Sequence, residues 1–126
     1  DKVTTKSRTI TRTEIELLAL LGGEYAPQFL SEKAAKVNGW ERQLVPGVHC
    51  INVAYGMLMQ MGFLKDVVAY MGTSNMPFLH TVNWGDSIRG EAEVTSKKKT
   101  EKGWLCEYDW TIRNQDEATV AEGHNT

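Results

Sequence analysis

The sequence predicts an α+β domain in which an antiparallel sheet wraps around one long central helix, and three observations carry that prediction. A capped amphipathic helix opens the first quarter of the chain. An almost continuously apolar stretch follows Pro46-Gly47, and from Met76 onward apolar and polar residues alternate singly. A largely antiparallel sheet has one apolar face to cover, and the apolar helix is the element suited to cover it.

Taken in order, residues 2–10 (KVTTKSRTI) read as an N-terminal strand. Thr11 and Glu14 then form the S/T-x-x-E capping box of a helix that carries Ile15, Leu17, Leu18 and Leu21 and stops at Gly22-Gly23. Ser31 caps a second short helix, EKAAKV, which Asn38-Gly39 closes. Between the two lies GGEYAPQF, residues 22–29, read as a connection framed by helix ends. After Pro46-Gly47, VHCINVAYGMLMQM places apolar residues on nearly every side, as in a helix buried all round, and Gly62 ends it. MPFLHTV, SIRGEAEVTSK, WLCEYDWTIR and ATVAEGHNT read as strands, separated by turn signals at Gly85-Asp86, KTEKG and NQDE. Ile88, Ala92 and Val94 mark the core side of one strand, and Arg89, Glu91 and Glu93 its solvent side.

At 126 residues, with no internal repeat or Pro/Gly-rich linker, one domain over 1–126 is expected. Fourteen basic against 16 acidic residues, a net charge of -2, leave no electrostatic footprint for nucleic acid or an anionic membrane. Lys97, Lys98 and Lys99 form the one basic run, read as a solvated hairpin tip in preference to a ligand phosphate contact. No apolar run has the length of a membrane span and the first residues lack a signal-peptide core, so a cytoplasmic protein is expected. Cys50 and Cys106 stand far apart, and His49, His80 and His124 lack ligand spacing, so neither a disulfide, a metal nor another cofactor is expected.

Three segments together resemble the MaoC-like dehydratases and R-specific enoyl-CoA hydratases, which have the hot-dog fold. In that family the first helix runs into a loop S/T-G-D-x-N-P-x-H, and LLALLGGEYAPQF matches it at Gly23 and Pro27. The spacing continues through Ala35 and Trp40 to LVPG, which resembles the family's lead-in to its central helix. FLHTVNWGDSIRGEAEV resembles its F-L-x-P-V-x-x-G-D-x-I/L strand segment, and IRNQDEATVAEG its closing strands. Three segments at consistent spacing are far more specific than one loop motif. The resemblance implies a dimer, homomeric or formed with a paralogue. It also implies a ligand that is an acyl-CoA or acyl-carrier-protein thioester, and water added or removed across its 2,3 double bond.

That chemistry needs a base for water, an acid for the α carbon, and donors for the thioester oxygen. In the family an Asp and a His five residues later move the protons; here the resemblance puts Glu24 and Phe29 at those positions and Ala26 at the intervening Asn. Phe29 can neither accept a proton nor orient a carboxylate, so it is left with a substrate-binding role. Pro46 and Gly47 stand where the buried helix begins, so the Gly47 amide is the candidate oxyanion donor; alone, Pro-Gly also reads as a plain turn. His49 has two readings: a replacement acid-base partner for Glu24 from another chain segment, or a satisfied core residue. Tyr55, near a position where relatives carry a small hydroxyl residue, reads as a bond to Glu24 or as a volume filler. Thioester hydrolysis driven by Glu24 alone, and a non-catalytic partner subunit, are the other functions the altered loop permits.

Overall fold

The computed structural model describes residues 2–23, 26–40, 42–63, 72–74, 76–101 and 103–126. Helix α1 (Arg12–Gly22) starts as its sequence dictates: the Thr11 hydroxyl accepts from the Glu14 amide while the Glu14 carboxylate accepts from the Thr11 amide, and Gly23 closes the helix at φ 74°. Its core-facing residues are Ile15 and Ala19, four apart, whereas Leu17, Leu20 and Leu21 lie exposed, so the buried face is narrower than the leucine pattern suggests. The loop expected after α1 contains a further single turn, α2 (Pro27–Leu30), with Pro27 at its first position, where a missing N–H costs nothing. Ser31 ends α2 and caps α3 (Glu32–Val37), accepting from the Ala34 amide at 3.1 Å.

The central helix α4 (Gly47–Gln60) buries His49, Cys50, Val53, Ala54, Met57 and Leu58, a stripe repeating every fourth residue. It is therefore not buried all round: Val48 and Met59 are exposed, and the face away from the stripe meets the protomer surface. The stripe packs on a sheet built from β1 (Lys2–Thr4), β2 (Arg8–Thr9), β3 (Thr73–Ser74), β4 (Ser87–Thr100), β5 (Gly103–Asn114) and β6 (Thr119–Asn125). The strand order is β1-β4-β5-β6-β3, with β2 also on β4, and every pairing is antiparallel. Thus the expected N-terminal strand is two short pieces on one edge, and the C-terminal meander pairs in sequence. A bulge between Val94 and Ser96 lets β4 and β5 run on as a two-stranded arm that carries the exposed Lys97, Lys98 and Lys99.

MPFLHTV does not form the strand its alternation suggests. Only Phe78 makes a bridge, to Ala121, and the Leu79 and His80 amides both donate to the same Val120 carbonyl, at 2.7 and 3.3 Å. Two successive amides on one acceptor stop a ladder from advancing, because ladder partners step by two.

Ile10, Ile15, Leu58, Ile88, Ile112 and Val120 are fully buried, each worth ~2 kcal/mol of burial. One polar cluster lies among them. Asn125 accepts from the Trp110 indole at 3.0 Å and donates through Nδ2 to the Tyr108 hydroxyl at 2.9 Å and to the Tyr55 hydroxyl. Trp110 lies across from Gly123, and a Cβ there would come within 2.7 Å of the indole.

Candidate functional site

Four chain segments converge where α4 begins. The Gln43 side chain donates to the Phe29 carbonyl at 2.6 Å and the Leu44 amide to Gln28, tying the 43–46 lead-in to α2. The Val45 amide donates to Val82, and Leu79 to Val120, which ties in the 78–82 segment and β6. Glu32 clamps the lead-in from α3: one carboxylate oxygen accepts from the Gln43 amide at 2.9 Å and the Trp84 indole at 3.0 Å. Those two donors hold the Glu32 carboxyl below its ordinary pKa.

Between these segments opens a groove of about 400 Å³. Phe29, Leu44, Val45, Pro46, Gly47, Val48 and Cys50 form one wall, and Phe78, Leu79, His80, Thr81, Val82 and Val120 the other. Among the described residues its lining is apolar apart from His80 and Thr81, which suits an acyl chain. Pro46 is the N-cap of α4, and its carbonyl accepts from the His49 amide at 3.0 Å. The Gly47 and Val48 amides belong to the first turn and have no acceptor within the helix. Phe78 lies flat against Gly47: a Cβ at residue 47 would sit 2.5 Å from the ring, so only glycine lets the two approach.

Of the residues singled out from the sequence, Phe29, Pro46 and Gly47 meet in this groove. Glu24 lies outside the described residues. His49 is buried and turned to α1, where its Nε2 is 2.7 Å from the Glu14 carboxylate; its Nδ1 has no partner among the described residues. Glu14 also accepts from Arg8 at 2.8 Å and from the Thr11 amide and hydroxyl. Burial pushes the Glu14 carboxyl up, but the Thr11 amide, His49, Arg8 and the Thr11 hydroxyl together bring it down to about 2. The carboxylate therefore stays ionised, and His49 Nε2 donates to it. Tyr55 stands two turns along α4 in the Asn125 cluster. The second wall, Phe78 to Val82, is missing from the residues singled out in the sequence, because its alternation reads as an ordinary strand and its family resemblance marks it only as a strand segment.

A profile of the MaoC like domain matches residues 1–109. Protein MaoC of Klebsiella aerogenes is 30% identical over 102 residues, which is 81% of this chain and 30% of that protein, so the chain spans under a third of that relative's length. Among solved structures, the monoamine oxidase regulatory protein of Archaeoglobus fulgidus superposes with a TM-score of 0.90 at 27% identity, over 99% of this chain and 85% of that one. The (R)-hydratase from A. caviae involved in PHA biosynthesis superposes with a TM-score of 0.84 at 24% identity, over 99% of this chain and 91% of the hydratase, which shows the shared fold. The profile match and the two chain-long superpositions agree with the sheet-wrapped helix and with the family resemblance. The chain belongs to the MaoC-like domain family and has its hot-dog fold.

Proposed function

We propose that this domain binds acyl thioesters and hydrates 2-enoyl thioesters slowly, the acyl chain lying in the groove and the thioester oxygen facing the Gly47 amide. The observation that carries the proposal is the position of the groove: an apolar trench of about 400 Å³ opening on the first turn of the central helix. The helix dipole and the first-turn amides, which have no acceptor within the helix, favour negative charge there, which is what the thioester oxygen gains as water adds to the double bond. Phe29 lines the groove at the position where the family's motif has its His, so the proton-moving half of the site is weaker than the charge-stabilising half. The CoA and carrier-protein forms of the substrate share this thioester and its acyl chain.

A dimer fits the same reading. Val48, Leu79 and Phe78 at the mouth of the groove are 62%, 56% and 47% exposed in the single chain, and a second subunit, of this chain or of a paralogue, would cover such apolar side chains. A subunit whose Phe29 site binds but does not turn over would serve beside a paralogue bearing the Asp and His; the same residue favours this second reading.

Thermal unfolding with butyryl-CoA and longer saturated acyl-CoAs tests binding without chemistry. The expected result is a rise in melting temperature that grows with ligand concentration. If no saturated acyl-CoA of any length raises it, the acyl-thioester reading is wrong.

A further inference from the structure

We infer that His80 is the proton carrier of this groove, doing from the second wall what Phe29 cannot do from the first. The inference rests on the acyl-thioester reading above and adds the residue that moves the proton.

The chain has three histidines, and the structure gives each a different employment. His49 spends Nε2 on Glu14, inside the core. His124 has a carboxylate at each ring nitrogen, Asp109 at 2.7 Å from Nδ1 and Glu107 at 3.1 Å from Nε2, on the β5–β6 surface. Of the three, only His80 lines the groove, which Phe29 and Gly47 also line. Its Nδ1 lies 2.8 Å from the Thr81 carbonyl oxygen. A carbonyl only accepts, so Nδ1 carries the hydrogen and the neutral ring keeps its lone pair on Nε2. That bond fixes both tautomer and ring orientation, the service a partner group renders to an acid-base histidine. The backbone beneath it is held too, since the Leu79 and His80 amides share the Val120 carbonyl.

The step balances with this one group. His80 Nε2 takes a proton from water as the water oxygen bonds to the β carbon of the enoyl thioester. The π electrons move onto the α carbon and thioester oxygen, where the Gly47 amide meets the charge. The Nε2–H then returns the proton to the α carbon, leaving neutral imidazole and the 3-hydroxyacyl thioester. No other reactant is consumed.

The test uses the full chain with crotonyl-CoA as substrate and butyryl-CoA as an unreactive ligand, comparing wild type, His80→Gln and His80→Ala. His80 is exposed, so both variants are expected to fold, and their melting curves verify it. The expected result is a loss of hydration of ~10²-fold or more in both variants. The butyryl-CoA melting shift should be retained, and added imidazole should partly restore His80→Ala, which a structural role would not produce. Hydration within about twofold of wild type in either variant overturns the inference. So does a wild type that binds butyryl-CoA but hydrates no crotonyl-CoA, or a variant that loses the butyryl-CoA shift the wild type shows, which would make His80 a ligand contact. A wild type with no butyryl-CoA shift at all fails at the binding arm, and there the thioester reading and the inference fall together.

Discussion

Glu14→Gln should destabilise the fold at neutral pH by an amount that disappears in acid. The substitution keeps the capping box, because glutamine serves at that position, but removes the charge that Thr11, His49 and Arg8 hold in place. A carboxyl at about 2 in the fold against an ordinary 4.5 corresponds to ~3 kcal/mol of stabilisation by the ionised form. The Glu14 side chain is only 16% exposed, but Arg8 at 45% is screened by solvent, so ~2 to 3 kcal/mol is the expected loss. For a chain of this length that is a fall of roughly 10 °C in melting temperature. The sign follows from the depressed pKa: the stabilisation is complete above 4.5 and is lost as pH falls from 4.5 toward about 2. Urea unfolding of both proteins from neutral pH down to about pH 3 measures it, and more than half of the gap should close over that range. Two stability curves that stay parallel, or a neutral-pH gap below ~0.5 kcal/mol, would refute the assignment of Glu14 as the ionised anchor between α1 and α4.

Other outcomes are equally open to measurement. Gly47→Ala should cost ~1 to 3 kcal/mol, since its Cβ would press on the Phe78 ring at 2.5 Å, and a second change of Phe78→Leu should relieve much of that cost in the same unfolding assay. Glu24→Asp, Ala26→Asn and Phe29→His together should raise crotonyl-CoA hydration by ~10²-fold or more, and Phe29→His alone by less, because base, acid and orienting group act as a unit. Following thiol release as well as double-bond loss in Glu24→Gln separates hydration from hydrolysis: release that depends on Glu24 would identify a thioesterase. Asp109 first, then Glu107, hold the His124 pKa above its ordinary value, so its contribution is present in acid and lost as pH rises through that elevated pKa; His124→Gln should flatten this limb of the melting-temperature profile.

The parts of the fold legible in the sequence are those written in neighbouring residues. Thr11 with Glu14 and Ser31 with Ala34 cap across three residues, and the alternation of 87–114 fixes which side of β4 and β5 is buried, down to Ile88 and Ala92. What the sequence hid depends on residues far apart. The same carboxylate that reads as a local cap also holds His49, 35 positions later, and nothing in the spacing of either residue announces it. Alternation in MPFLHTV looked like a strand because it reports only which side chains are apolar, whereas the shared Val120 carbonyl that prevents the ladder is a matter of backbone geometry. The candidate groove divides in the same way: Phe29, Pro46 and Gly47, which line it, stand at motif positions, while the other wall comes from tertiary packing.

Two glycines covered by aromatic rings impose an order on how this sequence can change. Residue 47 lies under Phe78 and residue 123 under Trp110, and in each case the ring occupies the space a first side-chain carbon would take. A descendant of this chain can therefore acquire a side chain at either glycine only after its aromatic has been traded for something smaller, because the reverse order passes through an overpacked and destabilised intermediate. The two members of each pair are separated by many positions, yet they drift as a single character. Divergent sequences that keep this packing should show the small residue and the large ring either both present or both replaced.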